Sequence, residues 1–249
     1  MTHVLHASRD LADAFASVES WIFDLDNTLY PPHTDLFAQV DAKITGYISD
    51  FLGLDRDEAY RLQKQYYKNY GTSLRGMMVE HGMDPHDFLD VVHDIDHSPL
   101  EPDPALGAAL AALPGRKFVL TNGSRGHAEK VTRALGINDE FEDMFGIVEA
   151  KFAPKPAKEP YDIFLTRNQI APAYAVMFED LARNLLVPKQ LGMRTTLVTD
   201  RSLDTRTWRA AWEDEGSDAE YVDFVTDDLA QFLVSIIDAV APEKAIASR

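Results

Sequence analysis

The chain has no cysteine, which excludes disulfides and a thiolate-ligated metal. It also lacks a long unbroken apolar run. The longest late stretch, Phe232 to Ala241, is interrupted by Ser235 and Asp238 and is too short to span a bilayer. Met1 to Ser20 is polar and mixed in charge, without the apolar centre of a signal peptide, so a cytoplasmic location is expected. Positive charge is scarce: 24 Lys and Arg stand against 41 Asp and Glu, a net charge of −17. Such a balance opposes binding to a nucleic acid polymer or an anionic membrane. It leaves room for a small phosphorylated substrate, because a metal and one or two cations build a local positive site. Internal repeats and low-complexity segments are absent, and the oligomeric state is not legible.

What is present suits one large domain, or a core with a smaller companion: 249 residues, 45% hydrophobic and 26% charged. Ser20 to Leu25 reads as a strand buried on both faces, the kind found in parallel sheets. It runs into Asp24 and Asp26. Residues two apart on an extended chain share a face, so both carboxylates converge where the strand ends. A divalent cation relieves the repulsion of such a pair. Asn27-Thr28 supply the turn.

From Tyr30-Pro31-Pro32 onward the periodicity is helical. Leu36, Val40, Ile44 and Ile48 recur at helical spacing up to Gly53, and Asp55 with Glu58 reads as a cap. Further helices are expected over Glu58 to Asn69, Leu74 to His81 and from Asp84-Pro85 to near Asp94. No strand signal interrupts residues 33–97, which predicts a helical insert, with the Pro-rich Ser98 to Pro104 as the hinge back. Strands and helices then alternate. Strands are expected at Lys117–Thr121, Phe145–Glu149, Tyr174–Phe178, Thr195–Thr199 and Tyr221–Thr226, with a polar excursion at 201–220. That alternation predicts an α/β fold, a doubly wound parallel sheet of Rossmann type covered on both faces, whose ligands bind at the carboxyl ends of the strands.

Those ends carry chemistry. Thr121-Asn122-Gly123 offers a hydroxyl and backbone N–H groups to phosphate oxygens. Lys155 sits in a loop stiffened by Pro154 and Pro156. Glu179-Asp180 ends an apolar strand and is able to complete a hard-metal site with Asp24 and Asp26. Asn184 lies one turn later. Each signal is modest, and each has an ordinary turn, cap or solvated-loop reading. The strength lies in their joint order. His81, His86, His93 and His97 fit no standard metal-ligand spacing.

This ordered set resembles the haloacid dehalogenase superfamily, in its phosphatase branch. The matching pieces are Asp24-Leu25-Asp26-Asn27-Thr28, Thr121-Asn122-Gly123, Lys155-Pro156 with Tyr161, and Glu179-Asp180 through Asn184. The helical insert falls where the superfamily's type-one cap sits, which implies a core of residues 1–30 and 101–249 and a cap of residues 31–100. Asp24 through Pro32, Tyr66 through Gly76 and His93-Asp94-Ile95-Asp96 narrow the likeness to the pyrimidine 5′-nucleotidase subgroup. The resemblance implies a Mg²⁺-dependent phosphomonoester hydrolase that turns UMP or CMP into nucleoside and phosphate. A sugar phosphate or lysophospholipid is the alternative ester. A haloacid dehalogenase is disfavoured by Asp26 and Asp180, and a non-enzymatic receiver-like switch by the cap and by Asp26.

By the same resemblance Asp24 is the nucleophile, and Asp26 is an acid and base whose pKa nearby carboxylates should raise. Mg²⁺ is held by Asp24, the Asp26 carbonyl and Asp180. Thr121 and Lys155 hold the transferring oxygens, helped by N–H groups near Asn27, Asn122 and Gly123. Glu179 and Asn184 orient metal waters and Lys155. Tyr70, Thr72 and Arg75 are the cap candidates for leaving-group recognition.

Overall fold

In the computed structural model, which describes residues 8–199 and 218–241, six parallel strands form one sheet in the order β3-β2-β1-β4-β5-β6. β1 (Ser20–Phe23) lies between β2 (Arg116–Leu120) and β4 (Ala175–Glu179), with β3 (Asp143–Phe145) outside β2. β5 (Arg194–Val198) and β6 (Phe224–Thr226) extend the other edge. The chain builds outward from β1 in one direction, then returns to β4 and builds in the other. The strand ends of β1, β2 and β4 therefore face a topological switch point.

Alternation along each strand divides the core in two. Trp21, Phe23, Val119, Val176 and Phe178 point to a face covered by α1 (Ser8–Phe15), α6 (Pro104–Ala112), α7 (Arg125–Ala134) and α10 (Leu229–Val240). Ile22, Phe118, Leu120 and Met177 point to the opposite face, against α8 (Lys158–Arg167) and the segment leading into α9 (Leu186–Leu191). Burial on both faces explains why these strands read as continuous apolar runs.

Between β1 and α6 the chain forms four helices: α2 (Leu36–Leu52), α3 (Arg56–Tyr70), α4 (Ser73–His81) and α5 (Pro85–Val92). Asp55 caps α3 by accepting from the Glu58 N–H, and Asp84 caps α5 by accepting from the His86 N–H. The insert has its own apolar centre, including Ile48, Ala59, Tyr66, Leu74, Met77 and Phe88. The fold is thus a doubly wound α/β core with an inserted helical cap.

Two strands differ from expectation: β6 starts at Phe224 rather than Tyr221, and β3 departs further. Phe145–Glu149 was expected as a strand on its apolar residues, but β3 ends at Phe145. Gly146 turns the chain, its N–H bonded to Glu149 Oε2 and its carbonyl to the Ala150 N–H. Ile147 and Val148 are apolar because they pack on the cap's cluster, not because they belong to the sheet. Most of the polar excursion at 201–220 lies outside the described residues. Among the described residues no helix is long and apolar enough to cross a membrane.

The α3–α4 contact sets a sharp test of the cap. A Cβ built on Gly76 of α4 would lie 2.4 Å from the Tyr66 side chain on α3. Gly76→Ala is expected to cost about 1–3 kcal/mol through overpacking. Hydrogen exchange should speed up in α3 and α4 while β1, β2 and β4 keep their protection.

Candidate active site

Lys155 is a lysine only 1% exposed. Its Nζ donates to Asp24 Oδ1 at 2.6 Å, to Glu179 Oε1 at 2.8 Å and to the Leu120 carbonyl at 2.8 Å. All three donor positions of the ammonium are thereby used. Burial works against its charge, but the Asp24 and Glu179 carboxylates outweigh burial and hold the lysine above its ordinary range. The loop is set from the side: Asn122 Oδ1 accepts the Lys155 backbone N–H at 2.8 Å and Asn122 Nδ2 donates to its carbonyl at 3.2 Å. The Asn122 side chain is therefore a clamp on the lysine loop.

Asp24 follows β1 directly, its N–H continuing the ladder to Phe178 O at 2.9 Å. Burial pushes its carboxyl up; Lys155 opposes this and Glu179 and Asp26 add to it, leaving the group raised to about 7. Glu179 goes the other way. Burial raises it, yet Lys155, the Leu181 N–H at 2.8 Å and Asn184 Nδ2 at 2.6 Å hold it below its usual range. With three donors on its two oxygens, Glu179 acts as a support for Lys155 and Asn184.

Asp26 corrects an expectation. Neighbouring carboxylates were expected to raise its pKa. Burial does push it up, but the His127 ring and the Tyr30 phenol outweigh burial and bring Asp26 below its usual range. Both partners reach the same atom: Tyr30 Oη donates to Oδ1 at 2.6 Å, and His127 Nε2 lies 3.0 Å from it. His127, on the first turn of α7, was not among the candidates in the sequence. The one signal was its place in the helix that follows Thr121-Asn122-Gly123.

Carboxylate oxygens of Asp24, Glu179 and Asp180 lie within 4.8 Å of one another. The donors are hard oxygens, and two amide oxygens lining the same cavity, Asn27 Oδ1 and Asn184 Oδ1, are buried with no partner. Such a set fits a hard divalent cation with bound waters. Asn27 takes φ 62°, a left-handed turn that an asparagine tolerates. Thr121 Oγ1 accepts the Gly123 N–H at 2.9 Å, which leaves the hydroxyl proton available to donate.

A cavity of about 150 Å³ lies over these groups, bounded below by Asp24, Asp26, Thr121, Gly123, Lys155 and Asp180. The cap lines its upper side with apolar residues, among them Phe37, Val40, Ile44, Leu74 and Phe88, and with a polar strip. In that strip Asp41 Oδ1 accepts from Gln63 Nε2 at 2.6 Å and Lys64 Nζ at 2.7 Å. Of the three cap candidates only Thr72 lines the cavity, and its hydroxyl oxygen caps α4 by accepting the Arg75 N–H. Tyr70 and Arg75 are not part of the lining. The reason is helix phase: Tyr70 turns toward Glu80 on α4, whereas Tyr67 faces the cavity.

Comparison with known proteins bears on the fold and the family. The chain is 28% identical over 201 residues to phosphate metabolism protein 8 of Saccharomyces cerevisiae, covering 74% of this chain and 62% of the yeast protein. The chain thus spans less than two thirds of that relative's length. CbbY from Rhodobacter sphaeroides in complex with phosphate shares the fold at a TM-score of 0.58 and 17% identity, over 88% of this chain and 99% of that one. L-2-haloacid dehalogenase from Xanthobacter autotrophicus with chloropropionic acid covalently bound does so at 0.55 and 18%, over 87% and 97%. At those identities the two structures speak for the fold alone. The model of the haloacid dehalogenase-like hydrolases matches residues 21–192, well over half of the chain, so the protein is a member of that family.

Proposed function

We propose that the protein hydrolyses a small phosphomonoester through an aspartyl-phosphate on Asp24, and that its substrates are the pyrimidine nucleotides UMP and CMP. The observation that carries the hydrolase reading is the Asp24 carboxylate, 2.6 Å from a buried lysine and beside Asp180 and Asp26, on the floor of the cavity beneath the cap. A carboxylate so placed is a nucleophile beside a fixed cation. The name of the yeast relative, which refers to phosphate metabolism, points the same way.

In this reading Asp24 attacks phosphorus, and the bond from phosphorus to the leaving oxygen breaks. Asp26 gives its proton to that oxygen, releasing the alcohol. The negative charge of an arriving phosphoryl group raises the proton affinity of Asp26, which supplies that proton. Asp26 then takes a proton from water as the water attacks the phosphorus, and phosphate leaves with Asp24 restored. Lys155, Thr121 and the N–H groups near Asn27, Asn122 and Gly123 stabilise the charge on the transferring oxygens. Asp24, the Asp26 carbonyl and Asp180 would hold Mg²⁺, which offsets negative charge when anionic nucleophile and anionic phosphate meet. Glu179 holds Lys155, Asn184 holds Glu179, and the two would orient the metal's waters. The cap, residues 31–100, excludes water from the cavity. Thr72, with Asp41, Gln63, Lys64 and Tyr67, meets the leaving group.

The apolar upper wall also favours a second substrate, a lysophospholipid, whose chain would lie against Phe37, Val40 and Ile44.

Asp24→Asn is expected to abolish phosphate release while the fold is retained by circular dichroism; normal turnover would refute the nucleophile. Lys155→Met should lower kcat by about 100-fold or more. It also leaves two buried carboxylates without their cation, an expected loss of about 3–5 kcal/mol in urea unfolding. A steady-state panel of UMP, CMP, AMP, sugar phosphates and lysophosphatidate, with and without a chelator, tests the substrate and the metal together. Chelation should stop turnover and added Mg²⁺ restore it. Slow turnover of both pyrimidine nucleotides beside fast turnover of another ester would sink the substrate reading.

A further inference from the structure

Behind Asp26 lies a group of histidines that the proposed chemistry does not use. The His127 side chain is fully buried. The His93 ring stacks on it face to face, 4.6 Å between centroids and 10° between planes. Ser124 ties the two together: its Oγ accepts the His127 backbone N–H at 3.2 Å and lies 2.9 Å from His93 Nδ1. His93 ends α5, where the chain starts back from the cap to the core, and burial holds it neutral, lowered to about 3. His127 Nδ1 is buried with no partner, while Nε2 faces the Asp26 carboxyl group. Asp26 Oδ1 is an acceptor, so Nε2 carries a proton toward it.

We infer that His127 is a positioning residue for Asp26: with Tyr30 it pins Oδ1, which fixes the carboxyl group's rotation and reserves Oδ2 for proton exchange with the leaving oxygen. Two donors of different origin fix one atom. Tyr30 comes from the turn after β1, four residues on, and His127 from α7, 101 residues away. A carboxyl group held by one donor would still rotate about its own bond; two donors on one oxygen leave a single orientation. Stacking by His93 does the same for the imidazole. The rim of the cap thereby takes part in setting the acid.

The inference rests on the proposed acid role of Asp26, and leaving-group dependence separates the two. A 5′-nucleotide needs its leaving alkoxide protonated, whereas p-nitrophenolate leaves without a proton. Because Asp26 also serves as the base toward water for either ester, the readout is the single-turnover release of the leaving group: His127→Leu is expected to lower that rate for UMP by about 10- to 100-fold, and to leave single-turnover p-nitrophenol release within a few-fold of the parent. His127→Gln, whose amide nitrogen can occupy the Nε2 position, should restore much of the UMP rate. It also serves as the test variant if His127→Leu does not fold, with Tyr30→Phe as an independent removal of the other donor. Equal loss on both esters, or no loss on either, overturns the positioning role. Asp26→Asn is run beside them. If it fails to discriminate between the two esters, the acid assignment falls, and the inference with it.

Discussion

A single ammonium group holds the active-site region in register. Lys155 is buried, and a buried charge is tolerated only where its partners are close and complete. Those partners come from the ends of three adjacent strands: Asp24 after β1, the Leu120 carbonyl at the end of β2 and Glu179 at the end of β4. The lysine can be satisfied only if those strands pair in the observed order. The sheet topology and the active-site charge are therefore one constraint seen from two sides.

Around that centre, carboxylates of similar intrinsic acidity acquire different behaviour. Asp24 is pushed up by burial among other acids, whereas Glu179 and Asp26 are drawn down by donors that outweigh their burial. What separates them is the donor each meets: a shared lysine for Asp24, three donors for Glu179, a phenol and an imidazole for Asp26. Such divergence gives one small site carboxylates of different acidity.

Much of this was legible beforehand, for a physical reason. Strands of a parallel sheet are buried on both faces and so announce themselves as apolar runs, and their carboxyl ends must carry whatever chemistry the fold has. That reading places Asp24, Thr121 and Asp180 at the ends of β1, β2 and β4, where the structure has them. Periodicity failed where an apolar residue served a different layer. Ile147 and Val148 imitate a strand while packing on the cap. Tyr66, Tyr67 and Tyr70 share a helix, but spacing alone did not say which of them faces the cavity. Tyr67 does, and Tyr70 turns to Glu80.

The amino-acid sequence by itself determined the order of strands and helices, the carboxylate pair, the stiff lysine loop and the place of the insert, because each is encoded within a few neighbouring residues. Tertiary structure alone decided which groups share a proton or a charge. His127 meets Asp26 across 101 positions, and Asn122 clamps Lys155 across 33. Nothing local marks either pair, because hydrogen bonds depend on distance in space, and the chain closes that distance only when the sheet has formed.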